Sequence, residues 1–289
     1  MINAIEINNL CKSYGDFKLD NVSFNVPSGT IMGFIGENGA GKSTTIKSIL
    51  NIVYPNSGSV KILGLDPQKD IKKINEEIGV VLDGSFFYEG MRITEIEKVM
   101  SGLYSTWDHS YYNKLITHFK LPNKPVKEYS RGMRMKLNLA AALAHKPKLL
   151  VLDEATSGLD PVMRSEMLDI FLDFIKDEEH SILMSSHITS DLEKVADYIT
   201  FIHEGRIVFS RSKEEVMEQY AVAKCTQQQA MLVPQELISG RRDTHFNTEL
   251  LINDRAALRK INHDILIDNA SIDDIMTFIA KEDNDDFTC

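Results

Sequence analysis

The chain has little cysteine and no long apolar run, and each shortage excludes a class of protein. Its three cysteines, Cys11, Cys225 and Cys289, lie far apart, so they form neither a disulfide framework nor a metal-binding pattern. So few cysteines are typical of a reducing compartment. No stretch approaches the ~18 consecutive apolar residues that span a bilayer, and the N-terminus does not resemble a signal peptide. We expect any role at a membrane to depend on a partner.

The chain also lacks an excess of positive charge. Lys and Arg number 32 against 42 Asp and Glu, which gives a net charge of −10. Because nucleic-acid phosphates favour basic surfaces, this balance argues against nucleic acid as the main partner. The 43% hydrophobic and 26% charged content is ordinary for a soluble globular protein. The 289 residues suffice for one large α/β domain and a smaller one.

A phosphate-binding loop is the strongest motif that is present. It has the pattern of Gly, four residues, Gly-Lys and Ser or Thr, with an apolar strand before it and a helix after it. Glycines let the backbone approach phosphates, and successive N–H groups form a nest for anionic oxygens. The motif predicts a nucleoside triphosphate site, with a lysine at the β- and γ-phosphates and a serine on Mg²⁺. Its residues are Gly36, Glu37, Asn38, Gly39, Ala40, Gly41, Lys42, Ser43 and Thr44.

Two carboxylates follow a second apolar strand at 149–152. A buried strand brings Asp153 and Glu154 to the carboxyl edge of a sheet, where α/β proteins bind ligands. Because side chains alternate along a strand, the two carboxylates point in different directions. We expect Asp153 to face the water shell of the metal, and Glu154 to polarise the water that attacks the γ-phosphate.

At this point the chain resembles the ATP-binding cassette family, the ATPase subunits of ABC transporters, over about residues 4–220. Residues 155–160, which end in Asp160, match the D-loop of the family; His187 stands where the switch histidine does, and Tyr14 matches the aromatic residue that stacks on adenine. The resemblance implies an α/β P-loop ATPase cassette, with a RecA-like core, an antiparallel β subdomain and a helical subdomain. It also implies ATP and Mg²⁺ as cofactors, and catalytic roles for Glu154, His187 and Lys42.

The signature motif of the family departs here from its usual spelling. The corresponding residues 129–133 read Tyr-Ser-Arg-Gly-Met, and the resemblance implies that Ser130 and Gly132 bind the γ-phosphate held by a second cassette. The helix that begins there adds its dipole. Arg131 is unusual. It either adds positive charge beside the nucleotide or points to solvent.

A second departure follows the predicted strand at 78–82. Asp83 stands where the family usually has a glutamine that reaches Mg²⁺. A carboxylate is also a hard oxygen ligand, so Asp83 is a candidate metal ligand beside Ser43 and Asp153. Its negative charge could either tighten Mg²⁺ binding or repel the γ-phosphate.

The resemblance implies two partners. One is a second nucleotide-binding subunit, identical or a sibling; the other is an integral membrane transporter subunit, which places the protein on the cytoplasmic face of the cell membrane. An aromatic cluster is the candidate docking surface for the membrane subunit. The alternative is that half of the cluster belongs to the core of the helical subdomain. The cluster comprises residues 85–89, Met91, Tyr104 and Trp107.

Composition changes near Ala221, which predicts a cassette over 1–220, with a helical subdomain at about 84–145, and a C-terminal extension over 221–289. The extension is predicted to be a small α/β unit, with strands at 230–234, 250–253 and 264–268 and helices at 254–260 and 271–280. We expect it to serve dimerisation or regulation. Similar extensions, and the same signature, occur in exporter ATPases of the bacitracin-resistance and phenol-soluble-modulin export type.

The leading hypothesis is therefore an ATP-hydrolysing subunit that powers export of peptides or antimicrobial compounds. The alternative is a soluble ABC-type ATPase that acts on nucleic acid or the ribosome. Such proteins usually insert a coiled coil or carry two cassettes, and this acidic chain does neither. An ordinary phosphate-loop kinase or GTPase is disfavoured by the signature, the D-loop and His187.

Overall fold

The computed structural model describes residues 2–15, 17–82, 84, 87–243, 247–261 and 264–282. The strands, in chain order, are β1 (Asn3–Tyr14), β2 (Phe17–Pro27), β3 (Ile31–Ile35), β4 (Ser57–Ile62), β5 (Ile78–Val81), β6 (Leu149–Asp153), β7 (Ser181–Ser186), β8 (Tyr198–His203), β9 (Arg206–Ser212), β10 (Ala221–Cys225), β11 (Ile238–Asp243), β12 (Thr248–Ile252) and β13 (Leu266–Asn269). The helices are α1 (Lys42–Ile49), α2 (Ile71–Glu77), α3 (Ile93–Leu103), α4 (His109–His118), α5 (Arg131–Leu143), α6 (Pro161–Phe174), α7 (Thr189–Val195), α8 (Lys213–Gln219), α9 (Gln227–Ala230), α10 (Arg255–Ile261) and α11 (Ile272–Glu282).

A six-stranded sheet forms the centre of the cassette, in the order β5-β6-β7-β3-β8-β9. All neighbours are parallel except β8 and β9, which form an antiparallel hairpin. Every residue of β3, β6 and β7 is buried, as expected for parallel strands covered on both faces. Because these three strands run in one direction, their carboxyl ends meet at one edge of the sheet. The predicted RecA-like core is confirmed.

A second, antiparallel sheet covers one face of the core in the order β2-β1-β4. Its strands alternate buried and exposed residues, so one face packs inward and the other meets water. The Phe24 ring of this sheet lies 5.2 Å from the Phe34 ring of the central sheet. The predicted antiparallel β subdomain therefore packs against the central sheet at β3.

Helices α3, α4 and α5 pack together on the other side of the core. The fully buried Tyr112 of α4 donates a hydrogen bond from its hydroxyl to the carbonyl of Ile93 in α3, 3.2 Å away. The Trp107 ring packs against Tyr112 at a tilt of 46°, with 5.2 Å between ring centroids. Helix α5 is rich in small residues, which lets it approach β5. No helix in the described part of the chain is long and apolar enough to cross a membrane.

The residues after Tyr220 form a four-stranded antiparallel sheet in the order β11-β12-β10-β13, with helices α9, α10 and α11. The α/β composition expected for this segment is confirmed, but the strand predicted at 230–234 is wrong. Thr226 and Gln229 form a reciprocal capping box that starts α9 instead, and a turn follows it. The strands β10 and β11 were not predicted. The boundary at 220 stays a prediction.

Helix α11 ties this segment to the cassette through α7. The backbone N–H of Ile272 donates to Glu193 Oε1 across 2.8 Å. The buried side chains of Ile275 and Phe278 belong to the same apolar cluster as the cassette core. One face of the C-terminal sheet therefore joins the cassette core, while the other face belongs to a separate apolar cluster.

His145, just after α5, is an ionisable group in the apolar interior. Only 1% of its surface is exposed; its ring stacks on Tyr104 at 4.0 Å, and Nε2 donates to the carbonyl of Ile78 at 2.9 Å. Burial lowers the pKa of this imidazole below its ordinary value of 6.5. The folded state therefore holds His145 neutral at a pH where the unfolded chain binds a proton.

We expect His145 to make the fold sensitive to acid. A histidine whose pKa is lowered by folding costs stability as pH falls below the unfolded value of 6.5, by at most about 1.4 kcal/mol per pH unit, because the unfolded chain then binds more protons. His145→Gln keeps an amide donor for Ile78 but does not titrate. Thermal melts at pH 7.5 and 5.5 should show a smaller acid loss for the variant. Equal losses in both proteins contradict this prediction.

Candidate active site

The phosphate loop joins β3 to α1. Helix α1 begins with no side-chain cap, so the N–H groups of its first turn are available to an anion. Gly41, before it, has a φ of 115°, and a Cβ there would lie 2.6 Å from a methyl carbon of Leu19. At Gly36 a Cβ would lie 2.4 Å from the carbonyl oxygen of Ile202. Both glycines are required for the loop to fold back against β2 and β8.

Lys42 lies inside this loop with 6% of its surface exposed. Its Nζ donates to the carbonyls of Gly36 at 2.7 Å and Glu37 at 3.0 Å. Burial lowers the pKa of Lys42, and the negative charges of Glu154, Asp153 and Glu37 oppose that shift. The ammonium group is thus held in position by the loop, and the carboxylates offset part of the effect of burial on its pKa.

Glu154 connects Lys42 with His187. One carboxylate oxygen, Oε1, lies 3.6 Å from Lys42 Nζ, and the other, Oε2, lies 2.5 Å from His187 Nδ1. Glu154 has a φ of 54°, uncommon outside glycine. Its N–H donates to the carbonyl of Ser185 on β7 across 3.2 Å. The structure therefore brings together the three residues for which the sequence predicts catalysis.

Asp153 ends β6 with 3% of its surface exposed. Its Oδ1 accepts a 2.6 Å hydrogen bond from Ser185 Oγ. Ser43 stands at the start of α1, in the cavity beside Glu154. A buried carboxylate and a hydroxyl are hard oxygen donors, and Mg²⁺ usually combines one or two carboxylates with phosphate oxygens and water. These residues therefore fit Mg²⁺. The described residues contain no group of three His, Cys, Asp or Glu that could hold a metal alone.

A cavity of about 530 Å³ is lined by one aromatic ring, the phosphate loop and Glu154. That ring belongs to Phe17, whereas Tyr14, the sequence candidate for adenine stacking, is not among the lining residues. Tyr14 is 47% exposed, and Lys12 Nζ lies 4.9 Å from its ring centroid. The two rings are opposite each other in the β1–β2 pairing. The lining residues are Phe17, Glu37, Asn38, Gly39, Gly41, Lys42, Ser43, Thr44 and Glu154.

The signature residues lie elsewhere, where α5 and α6 begin. Ser130 caps α5 by accepting from the N–H of Met133 at 3.2 Å, and a Cβ on Gly132 would meet Met163 of α6. Asp160 caps α6 with two 3.0 Å hydrogen bonds from N–H groups. None of these residues lines the phosphate-loop cavity.

Arg131 is exposed at the start of α5. Its guanidinium group lies against Gly158, so close that a Cβ there would come within 2.6 Å of Nη1. The unusual signature residue therefore contacts the D-loop of its own chain. Asp83, the candidate metal ligand, lies outside the described residues, as do Ser85 and Phe86.

Two residues of the site were missed by the sequence reasoning. Phe17 could have been found as a second aromatic residue three positions after Tyr14. Ser185 could have been found as a hydroxyl residue in an apolar strand one position before a Ser-His pair. Both signals are weak without the pairing of the strands.

The sequence matches the ABC transporter family over residues 19–157. It is 38% identical over 212 residues to the lantibiotic transport ATP-binding protein SrtF of Streptococcus pyogenes, covering 72% of this chain and 90% of that protein. It is 35% identical over 212 residues to the bacitracin transport ATP-binding protein BcrA of Bacillus licheniformis, covering 72% of this chain and 69% of that protein.

Solved structures agree with the fold. An ATP-binding subunit of an ABC transporter superposes with a TM-score of 0.68 at 25% identity, covering 75% of this chain and 92% of that one. A nucleotide-free ATP-binding cassette from an ABC transporter superposes with a TM-score of 0.63 at 21% identity, covering 73% and 92%. The likeness covers the cassette fold.

We expect Phe17 to contact the base of the nucleotide. Stacking of an aromatic side chain on a base contributes roughly 1–3 kcal/mol, so Phe17→Ala should weaken ATP binding roughly 5–150-fold, while Phe17→Tyr should bind nearly as the wild type does. Tyr54→Ala, at a ring that is 65% exposed and outside the cavity, is the control. Fluorescence titration measures the affinities. Tyr14→Ala in the same titration decides which ring contributes more. Wild-type affinity in Phe17→Ala contradicts the assignment.

Proposed function

The chain belongs to the ATP-binding proteins of ABC transporters and is an ATPase; we propose that it powers the export of peptides or antimicrobial compounds from the cytoplasmic face of the cell membrane. The cargo class is supported by the relatives named for bacitracin and lantibiotic transport. The observation that carries the catalytic part is the position of Glu154 between Lys42 and His187.

We assign the chemistry of the site residue by residue. The N–H groups of residues 38–44 and Lys42 bind the phosphate chain of ATP. Ser43 and Asp153 would hold Mg²⁺, which would neutralise charge on the β- and γ-phosphates. Glu154 orients the attacking water and accepts its proton. His187 contacts Oε2 of Glu154 and so holds the carboxylate in the orientation in which the other oxygen, Oε1, faces the cavity.

A second cassette completes the site in this proposal. Ser130, Gly132 and Asp160 are grouped at the start of α5 and α6, away from the cavity lined by their own phosphate loop. Helix α5 directs its N-terminus outward at Ser130, which is exposed. This arrangement supports a head-to-tail dimer, identical or with a sibling, in which each signature binds the γ-phosphate on its partner.

An apolar groove of about 580 Å³ supports the membrane partner. It lies between the central sheet and the helical part, and several of its side chains are exposed, including Tyr88 at 79% and Leu103 at 66%. Phe87, Met91 and Tyr104 of the predicted aromatic cluster also line it. We propose that a short cytoplasmic helix of the membrane subunit docks here.

Trp107 departs from that prediction. It is not among the residues that line the groove; it is partly buried and packs against Tyr112 and the apolar core of the helical part. Part of the predicted aromatic surface is therefore core, as the alternative interpretation held. The docking proposal rests on the other members.

Glu154→Gln tests the catalytic role. Loss of a general base typically lowers turnover about 10²–10⁴-fold, whereas ATP binding should persist because Lys42 and the loop are intact. A phosphate-release assay measures turnover, and gel filtration with Mg-ATP should show an accumulated dimer.

Glu37→Gln is the matched control for this test, since it removes a carboxylate from the same cavity and also lies near Lys42. Its loss of turnover should be much smaller. Unchanged turnover in Glu154→Gln, or an equal loss in the two variants, removes Glu154 from its assigned role.

Leu103→Glu tests the groove. A carboxylate on an apolar docking surface must be desolvated when the partner binds, so the variant should no longer copurify with the membrane subunit of its transporter. Leu232→Glu is the control, because Leu232 is 69% exposed but belongs to the C-terminal segment. Thermal melts should show that both variants fold. Copurification that survives Leu103→Glu, or fails equally in both variants, contradicts the docking proposal.

A further inference from the structure

Ser185 is joined to both acidic residues of the active site. In the parallel pairing of β6 and β7, Ser185 stands opposite Asp153. Its Oγ donates to Asp153 Oδ1 at 2.6 Å and accepts from the N–H of Glu154 at 3.0 Å. Ser185 has no exposed surface, so water does not compete for these bonds.

The two hydrogen bonds fix the hydroxyl in one orientation. A serine hydroxyl has a single proton, which goes to Asp153, and its lone pairs are then free for the N–H of Glu154. The bond to a carboxylate is charge-assisted and short, which makes it the stronger of the two.

We propose that Ser185 is a positioning residue for ATP hydrolysis. It orients the Asp153 carboxylate toward the Mg²⁺ site and fixes the backbone of Glu154 where the chain leaves β6. By occupying Oδ1, the hydroxyl leaves Oδ2 of Asp153 for the water shell of the cation. By binding the N–H of Glu154, it supports the φ of 54° that sends this side chain toward Lys42 and His187. The inference rests on the roles proposed above for Asp153 and Glu154.

The neighbouring serine has a different contact. Ser186 is equally buried, but its Oγ accepts from the N–H of Ile188 at 2.9 Å and so closes the turn that follows His187. At the other end of β7, Ser181 is 1% exposed, and its Oγ accepts from the N–H of Gly29 at 3.1 Å. Ser181 is therefore a serine in the same strand as Ser185 and is similarly buried, but its hydroxyl does not contact either carboxylate.

Ser185→Ala and Ser181→Ala therefore form a matched pair. Loss of a partner that orients a metal ligand typically lowers metal affinity or activity roughly 10–100-fold. Ser185→Ala should raise the Mg²⁺ concentration for half-maximal nucleotide binding by about that factor and lower kcat, with little change in KM at saturating Mg²⁺. Binding of the imido analogue of ATP in EDTA should change less than about twofold. Ser181→Ala should match the wild type in each measurement.

Ser185→Cys keeps the test decisive if the alanine variant does not fold, because a thiol has similar size but is a weak donor. It should shift the Mg²⁺ dependence in the same direction. If Ser185→Ala and Ser185→Cys show the Mg²⁺ dependence and kcat of Ser181→Ala, the proposal is overturned. If instead the wild type binds nucleotide and turns over independently of Mg²⁺, the roles of Asp153 and Glu154 fail and the fault lies with the proposed function.

Discussion

The parallel pairing of β3, β6 and β7 is the constraint on which the active site depends. It brings three chain segments to one edge of the sheet: the phosphate loop after β3, two carboxylates at the end of β6, and His187 after β7. The carboxylate of Glu154 then contacts a cation on one side and an imidazole on the other. A shift of one residue in the β6–β7 register would turn every side chain of one strand to the opposite face and separate Asp153 from Ser185. Close packing on both faces of these buried strands opposes such a shift.

Much of this arrangement could be predicted from the sequence, because buried parallel strands and the phosphate loop leave local patterns. Each strand of the central sheet is an apolar run with a defined end, and the loop has a fixed spacing before α1. The C-terminal segment was harder. Residues 231–233 form an apolar triplet that resembles a strand, but two of them, Met231 and Leu232, lie exposed in a turn, and the capping box at Thr226 decides the local structure. Strand β10 was missed because it directly follows α8 with no loop that marks its start.

The site shows the same division between local and non-local information. Lys42, Asp153 and Glu154 were predicted from local motifs at the ends of recognisable elements, and His187 from the family resemblance that those motifs carry. Phe17 and Ser185 were not, because their importance depends on which residues face them across a strand pair. The contact of Arg131 with Gly158 depends in turn on two helix ends that are close only in the folded chain. The pattern of a single sequence does not show which strands pair or which helix ends meet.

The docking of α11 on α7 has a mechanical consequence. Helix α7 begins two residues after His187, and its Glu193 carboxylate holds the first N–H of α11. Close-packed interfaces move as units rather than deform continuously. The helix that follows His187 and the C-terminal segment therefore meet at one close-packed interface, and a shift of α7 would have to be absorbed there or passed on to α11.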